Sequence, residues 1–153
     1  MDIIINSVDY KGSIVDGPGI RTVLYLQGCE QRCDGCHNAS TWNIDEGKTV
    51  PIDVLCKEII TKSMTKKITI SGGEPLLQTP AVLELIKKLK CHNFNICLYT
   101  GYELEDVPEE LLEQLDYIKV GRYEKDKRCT TIDYIGSTNQ RFIDIRREIH
   151  EKK

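Results

Sequence analysis

Three cysteines fall within eight residues of "GCEQRCDGCHN" (28–38), spaced as Cys29-x₃-Cys33-x₂-Cys36. Thiolates are soft ligands that select zinc or iron–sulfur clusters. Structural zinc is commonly closed by two cysteine pairs, or by a cysteine pair and a histidine pair. Only Cys33 and Cys36 make such a pair here; Cys91 and Cys97 have five residues between them, and His37 adjoins Cys36 too closely to swing round to the same ion. A cubane cluster suits the triplet better. Three thiolates hold three of its irons, and the fourth iron keeps an open position of the kind where substrate binds. A fourth cysteine would instead complete an electron-transfer cluster. Cys56, Cys91, Cys97 and Cys129 remain, each on or beside a structural element, and are read as small apolar residues. Zinc stays open as the alternative. A second stretch, "SGGEP" (71–75), puts Gly72, Gly73, Glu74 and Pro75 at the end of a strand-like run; alone it reads as a strand-to-helix turn.

These residues need a frame to hold them. The chain has 153 residues, the size of one domain (1–153), with no repeat or linker-like run. Twenty-one basic against 24 acidic residues give a net charge of −3, which argues against a nucleic-acid partner. No apolar run approaches the length of a membrane span, and "MDIIINSVDY" lacks the basic region and cleavage site of a secretory signal, so a cytoplasmic protein without membrane contact is expected. An odd count of seven cysteines, three of them in one loop, fits metal or redox chemistry in a reducing compartment better than a disulfide framework.

Strands are expected at "TVLYLQG" (22–28), "KKITISGG" (66–73), "NICLYTG" (95–101) and "DYIKVG" (116–121). Helices are expected at "PIDVLCKEIITKS" (51–63), at "TPAVLELIKKLKC" (79–91) and, as a short one, at "VPEELLEQL" (107–115). In the second helix Thr79 is the expected N-cap, Pro80 the first helical residue, and 82, 85, 86 and 89 the buried face. "RFIDIRREI" (141–149) fits a strand or a helix. Alternating strands and helices imply an α/β fold of βαβ units on a mostly parallel sheet. The chain is too short for a closed eight-stranded barrel, so an open or partial (β/α) barrel of about four to six strands follows. In such sheets the ligand sits beyond the carboxyl ends of the strands. "GCEQRCDGCHN", "SGGEP", "YTGY" and "GRYE" each follow one of the four strands, which makes them walls of one site.

The cysteine spacing together with "SGGEP" resembles the radical S-adenosylmethionine superfamily. "IVDGPGIRTVLYLQGC" (14–29), "CHNASTWN" (36–43), "TISGGEPLLQ" (69–78), "YTGYELE" (99–105) and "GSTNQR" (136–141) resemble, within it, the activating proteins of anaerobic ribonucleoside-triphosphate reductase, over nearly the whole chain. The resemblance implies a partial barrel of the radical S-adenosylmethionine type and a 4Fe-4S cluster on Cys29, Cys33 and Cys36. S-adenosylmethionine would hold the open iron and be cleaved by one electron, from a low-potential donor such as flavodoxin. The 5′-deoxyadenosyl radical would then take a hydrogen from a glycine of the reductase, leaving a glycyl radical there. Gly72, Gly73, Glu74 and Pro75 would meet the methionyl amino group, with Glu74 an acceptor and side chains at the glycines colliding with the cofactor. Gly35 and His37 would neighbour the adenine. "DGPG" (16–19) would line the entrance for the partner's glycine-bearing loop, and Tyr99, Thr100 and Gly101 would approach the ribose or methionine. Two departures stand out. Gly35 replaces the aromatic residue common before the last cysteine, and Val120 precedes Gly121 where many relatives carry Asp-Gly, which puts that aspartate's contacts in doubt. The rivals are an activator of a different glycyl radical protein, a small-molecule radical enzyme, and a non-enzymatic iron–sulfur or zinc module.

Overall fold

The computed structural model describes residues 1–28 and 46–146. Its strands are β1 (Asp2–Ser13), β2 (Arg21–Leu26), β3 (Lys48–Pro51), β4 (Lys67–Gly72), β5 (Asn95–Tyr99), β6 (Tyr117–Val120) and β7 (Arg141–Asp144). They form one sheet in the order β3-β1-β2-β4-β5-β6-β7, whose two end strands do not meet. The helices are α1 (Ile52–Lys62), α2 (Thr79–Lys90) and the short α3 (Glu109–Leu112).

The four anticipated strands are there as a parallel block, β2-β4-β5-β6. The sheet as a whole is mixed rather than mostly parallel. β1 runs antiparallel to β2 and to β3, and β7 runs antiparallel to β6. These flanking strands return without a crossover helix, which is why seven strands fit where a count by βαβ units allows only about four to six. The ambiguous tail takes strand form over Arg141–Asp144, pairing Ile143 with Ile118.

Strand alternation divides the block into two faces. Leu24 and Leu26, Ile68 and Ile70, Ile96 and Leu98, and Ile118 and Val120 join a core with Leu55 and Ile59 of α1 and Val82, Leu85, Ile86 and Leu89 of α2. The alternate residues, Thr69, Ser71, Cys97, Tyr99, Tyr117 and Lys119, lie on the other face. Apolar spacing at 3.6 residues thus directs α1 and α2 onto one side of the sheet. The start of α2 differs from expectation: Gln78 occupies the cap position and Thr79 is the first helical residue. A 3₁₀ turn, Pro75–Gln78, runs straight into the helix, and the Thr79 hydroxyl donates to Leu76 O at 2.8 Å. The Gln78 side chain instead bridges β1, accepting from Ile4 N and donating to Ile4 O, both at 2.8 Å.

Candidate functional site

The parallel block brings its four carboxyl ends to a single edge, with Leu26 opposite Gly72 and Tyr99 opposite Lys119. The "SGGEP" turn is fastened there to the end of β2. Gly73 N donates to Leu26 O at 2.9 Å and Glu74 N donates to Gly28 O at 2.7 Å. The approach is too close for side chains. A Cβ on Gly73 would lie 2.2 Å from Gly28 O, and one on Gly72, whose φ is +94°, would lie 2.3 Å from Leu26 N. The glycine pair is therefore required by the neighbouring strand, whatever else it meets.

Glu74 is 2% exposed and its carboxylate is committed to the protein. Oε2 accepts from Leu76 N at 2.9 Å and from the Thr100 hydroxyl at 2.8 Å, while Oε1 accepts from Gly101 N at 2.7 Å. Burial raises its pKa above the usual carboxylate range, and those three donors pull it back. Glu74 thus clasps the ends of β4 and β5 together, with buried Pro75 starting the 3₁₀ turn behind it. The lacing continues to β6: Thr100 N donates to Lys119 O, and Gly121 N to Tyr102 O, each at 2.9 Å. From "GSTNQR", Gln140 Nε2 donates to Gly121 O at 3.0 Å, while its Oε1 accepts from Gly136 N at 2.7 Å. Val120 is buried in the core on the helix side. A carboxylate there would enter apolar surroundings.

Arg21 is a residue that spacing did not single out. It is 1% exposed, and every hydrogen-bond acceptor recorded for it is neutral. Nε donates to Thr69 Oγ1 (3.0 Å), Nη1 to Pro18 O (2.7 Å), and Nη2 to Ile68 O (3.0 Å) and Asn95 Oδ1 (2.6 Å). Thr69 Oγ1 in turn donates to Asp16 O. The guanidinium thus pins the "DGPG" segment onto β4 and β5, and burial lowers its pKa. The signal available in the sequence is a lone charge opening the otherwise apolar run of β2. Beside this segment, a cavity of about 380 Å³ opens on the polar face, lined by Asp16, Tyr99, Lys119, Asp133 and Tyr134 among others.

Cys29, Cys33, Cys36, Gly35 and His37 lie outside the described residues. What fits a cluster there is the chemistry of the donor set and the pinned Gly28 from which that loop departs. Among the other cysteines, Cys56 and Cys97 are buried and Cys91 is exposed; burial pushes the Cys97 thiol up to about 12. Among the described residues, no group of three or more His, Cys, Asp or Glu side chains is placed to hold a metal ion.

Residues 15–143 match a family described as a 4Fe-4S single cluster domain. The chain is 36% identical over 141 residues to the anaerobic ribonucleoside-triphosphate reductase-activating protein of Enterobacteria phage T4, covering 87% of this chain and 89% of that one. The protein of that name from Escherichia coli K12 is 31% identical over 142 residues, with 86% and 92% covered. The pyruvate formate-lyase-activating enzyme of Staphylococcus epidermidis is 34% identical over 164 aligned positions, which take in 97% of this chain but 64% of that enzyme.

Proposed function

We propose a function from one premise: this chain belongs to the family of anaerobic ribonucleoside-triphosphate reductase-activating proteins, and so to the 4Fe-4S single cluster domains. It is a radical S-adenosylmethionine activase that generates the glycyl radical of an anaerobic ribonucleotide reductase, with a 4Fe-4S cluster and S-adenosylmethionine as cofactors. When bound, the reduced cluster supplies one electron that splits S-adenosylmethionine into methionine and a 5′-deoxyadenosyl radical, which takes a hydrogen atom from the target glycine and leaves as 5′-deoxyadenosine.

The protein's part is to hold, orient and exclude water. Cys29, Cys33 and Cys36 are assigned as cluster ligands, with Gly35 and His37 beside the adenine. Gly72 to Pro75 form the cradle for the methionyl amino group. Because the Glu74 carboxylate is occupied by Leu76, Thr100 and Gly101, the acceptors for that ammonium are the peptide carbonyls of the turn. Glu74 acts by fixing the turn. A primary carbon radical reacts with most C–H bonds it meets, so the target carbon must be held close and water kept out before the bond breaks. The open sheet is read as a partial barrel that the reductase completes, entering past "DGPG". The single domain works in the cytoplasm without membrane or nucleic acid, and a flavodoxin-like donor supplies the electron. Among the described residues no helix is long and apolar enough to cross a membrane.

One observation carries the site assignment. The turn at Gly73 and Glu74 is hydrogen-bonded to the two residues, Leu26 and Gly28, that lead into the cysteine loop. The test is anaerobic incubation of the reconstituted protein with reductase, reductant and S-adenosylmethionine, read by spin resonance. A glycyl signal is expected, lost in Cys33→Ala. About four iron and four sulfide per chain, with a spectrum altered by S-adenosylmethionine, is the matching composition; zinc at one per chain would favour a binding module. The likeness to pyruvate formate-lyase-activating enzymes favours a second reading, activation of another glycyl radical enzyme. A signal with that partner and none with the reductase would establish it.

A further inference from the structure

The polar face holds a group, Tyr99, that the resemblance brings near the ribose or methionine without giving its hydroxyl a partner. Tyr99, the last residue of β5, is 8% exposed, and among the described residues its hydroxyl is buried with no hydrogen-bond partner. Buried hydroxyls are nearly always paired, and an unpaired one is costly. The ring is braced in place: Lys119 Nζ lies 4.0 Å from its centroid, across the β5–β6 register. Burial, with the Cys97 thiol and Asp16 nearby, raises the phenol's pKa, so it stays a protonated donor. What it lacks is an acceptor.

Its surroundings narrow the kind of acceptor. Tyr99 lines the cavity of about 380 Å³ together with Asp16, Lys119 and Asp133, so the walls offer both donors and acceptors. Ile14, Val15 and Ile132 also line it and are 71%, 71% and 53% exposed. Polar groups in the walls with bare aliphatic side chains beside them suit a ligand whose polar main chain is flanked by apolar side chains, that is, an extended peptide. The place is also right. Tyr99 immediately precedes Thr100, whose hydroxyl is bound to Glu74 of the glycine turn, so a chain held at Tyr99 runs beside that turn.

We propose that Tyr99 is a positioning residue for the protein partner. Its hydroxyl donates to a main-chain carbonyl of the reductase's glycine-bearing segment, which lies in the cavity with its apolar side chains against Ile14, Val15 and Ile132. This rests on the activase reading, and the test separates the two. In the reconstituted holoenzyme, Tyr99→Phe removes one oxygen that has no partner among the described residues. The melting temperature should therefore stay or rise. Reductase affinity, followed by biolayer interferometry on the S-adenosylmethionine-loaded protein, should fall about tenfold, the size expected of one lost hydrogen bond. Fewer glycyl radicals should form per S-adenosylmethionine cleaved. The dissociation constant of S-adenosylmethionine, from optical titration, should not move, which separates this role from the approach to the ribose or methionine that the resemblance implies. Ile132→Asp, on the exposed rim, should also weaken reductase binding. A lower melting temperature in Tyr99→Phe, a weaker grip on S-adenosylmethionine, or unchanged reductase affinity in either variant would each overturn the proposal. No glycyl radical from the wild-type protein with any partner would sink the activase reading instead.

Discussion

Gly73→Ala separates two explanations of the same glycine. If the residue is small only to leave room for a cofactor, the protein without cofactor should tolerate a methyl group. The structure says otherwise. The new Cβ would lie 2.2 Å from Gly28 O, 2.7 Å from Gly28 C and 3.0 Å from Gly28 N, all of them backbone atoms. Reaching even 3.0 Å from the oxygen requires a shift of about 0.8 Å, which the flexible end of a side chain could make cheaply and a strand terminus cannot. The shift would also strain the 2.7 Å bond from Glu74 N to Gly28 O. Overpacking costs about 1–3 kcal/mol and a lost hydrogen bond about 0.5–1.5 kcal/mol, so a loss of about 2–4 kcal/mol follows. For a domain of this size that corresponds to roughly 4–16 °C in melting temperature. Gly28 precedes Cys29, so iron retention after reconstitution should fall too. The assay is thermal unfolding of the apoprotein, with Gly136→Ala as control, since a Cβ there meets a movable Tyr123 ring at 3.1 Å. An apoprotein that melts like the wild type, with only S-adenosylmethionine affinity reduced, would refute the backbone argument and restore the cofactor one.

Glu74→Gln keeps the shape but turns one acceptor oxygen into a donor facing Gly101 N, or facing Leu76 N and the Thr100 hydroxyl; a loss of about 1–3 kcal/mol is expected in urea unfolding. The pH dependence has a definite sign. Because burial raises the Glu74 pKa above 4.5, the stability contributed by its neutral form is complete below 4.5 and is lost as pH rises through the raised value. Wild-type stability should thus decline relative to Glu74→Gln across that window, and a constant difference would count against burial as the dominant cause. Arg21→Met removes a buried cation but strands the carbonyls of Pro18 and Ile68 and the side chain of Asn95. A net loss of about 1–3 kcal/mol is expected, together with faster proteolysis at residues 14–19; unchanged proteolysis would show that the guanidinium does not hold that segment.

The legible parts of the fold are those with a strong period. Ile52, Leu55 and Ile59, and Val82, Leu85, Ile86 and Leu89, repeat at helical spacing and are buried accordingly. In β4 and β6 apolar residues alternate with polar ones up to a glycine, as a sheet covered on one face by helices requires. β1 and β3 were missed because antiparallel strands need no crossover helix to announce them, and over β1 only Ile3 and Ile5 are buried. The glycine turn was legible as types and spacing, but its reasons were not; the cysteine triplet lies outside the described residues. Glu74 reads from the sequence as an acceptor for an ammonium group, and nothing local shows that its carboxylate also accepts from Thr100 and Gly101, 26 and 27 residues away. Arg21 likewise acts through Thr69 and Asn95, which no local pattern connects to it.

These long-range bonds join into one run along the site edge. Gly28 O accepts from Glu74 N, the Glu74 carboxylate accepts from Thr100 and Gly101, Thr100 N donates to Lys119 O, Tyr102 O accepts from Gly121 N, and Gly121 O accepts from Gln140. The run begins one residue before Cys29 and ends one residue before β7, so it ties every strand of the parallel block to its neighbour at the end where the glycine turn lies. Hydrogen bonds in such a series polarise and brace one another. Radical transfer needs few catalytic side chains but tolerates little misplacement of the reacting carbon. A chain of 153 residues meets that demand through main-chain groups and one buried carboxylate held in register across the sheet edge. It follows that substitutions along this run should disturb coupling between S-adenosylmethionine cleavage and glycyl radical formation even where they leave the cysteines and their cluster intact.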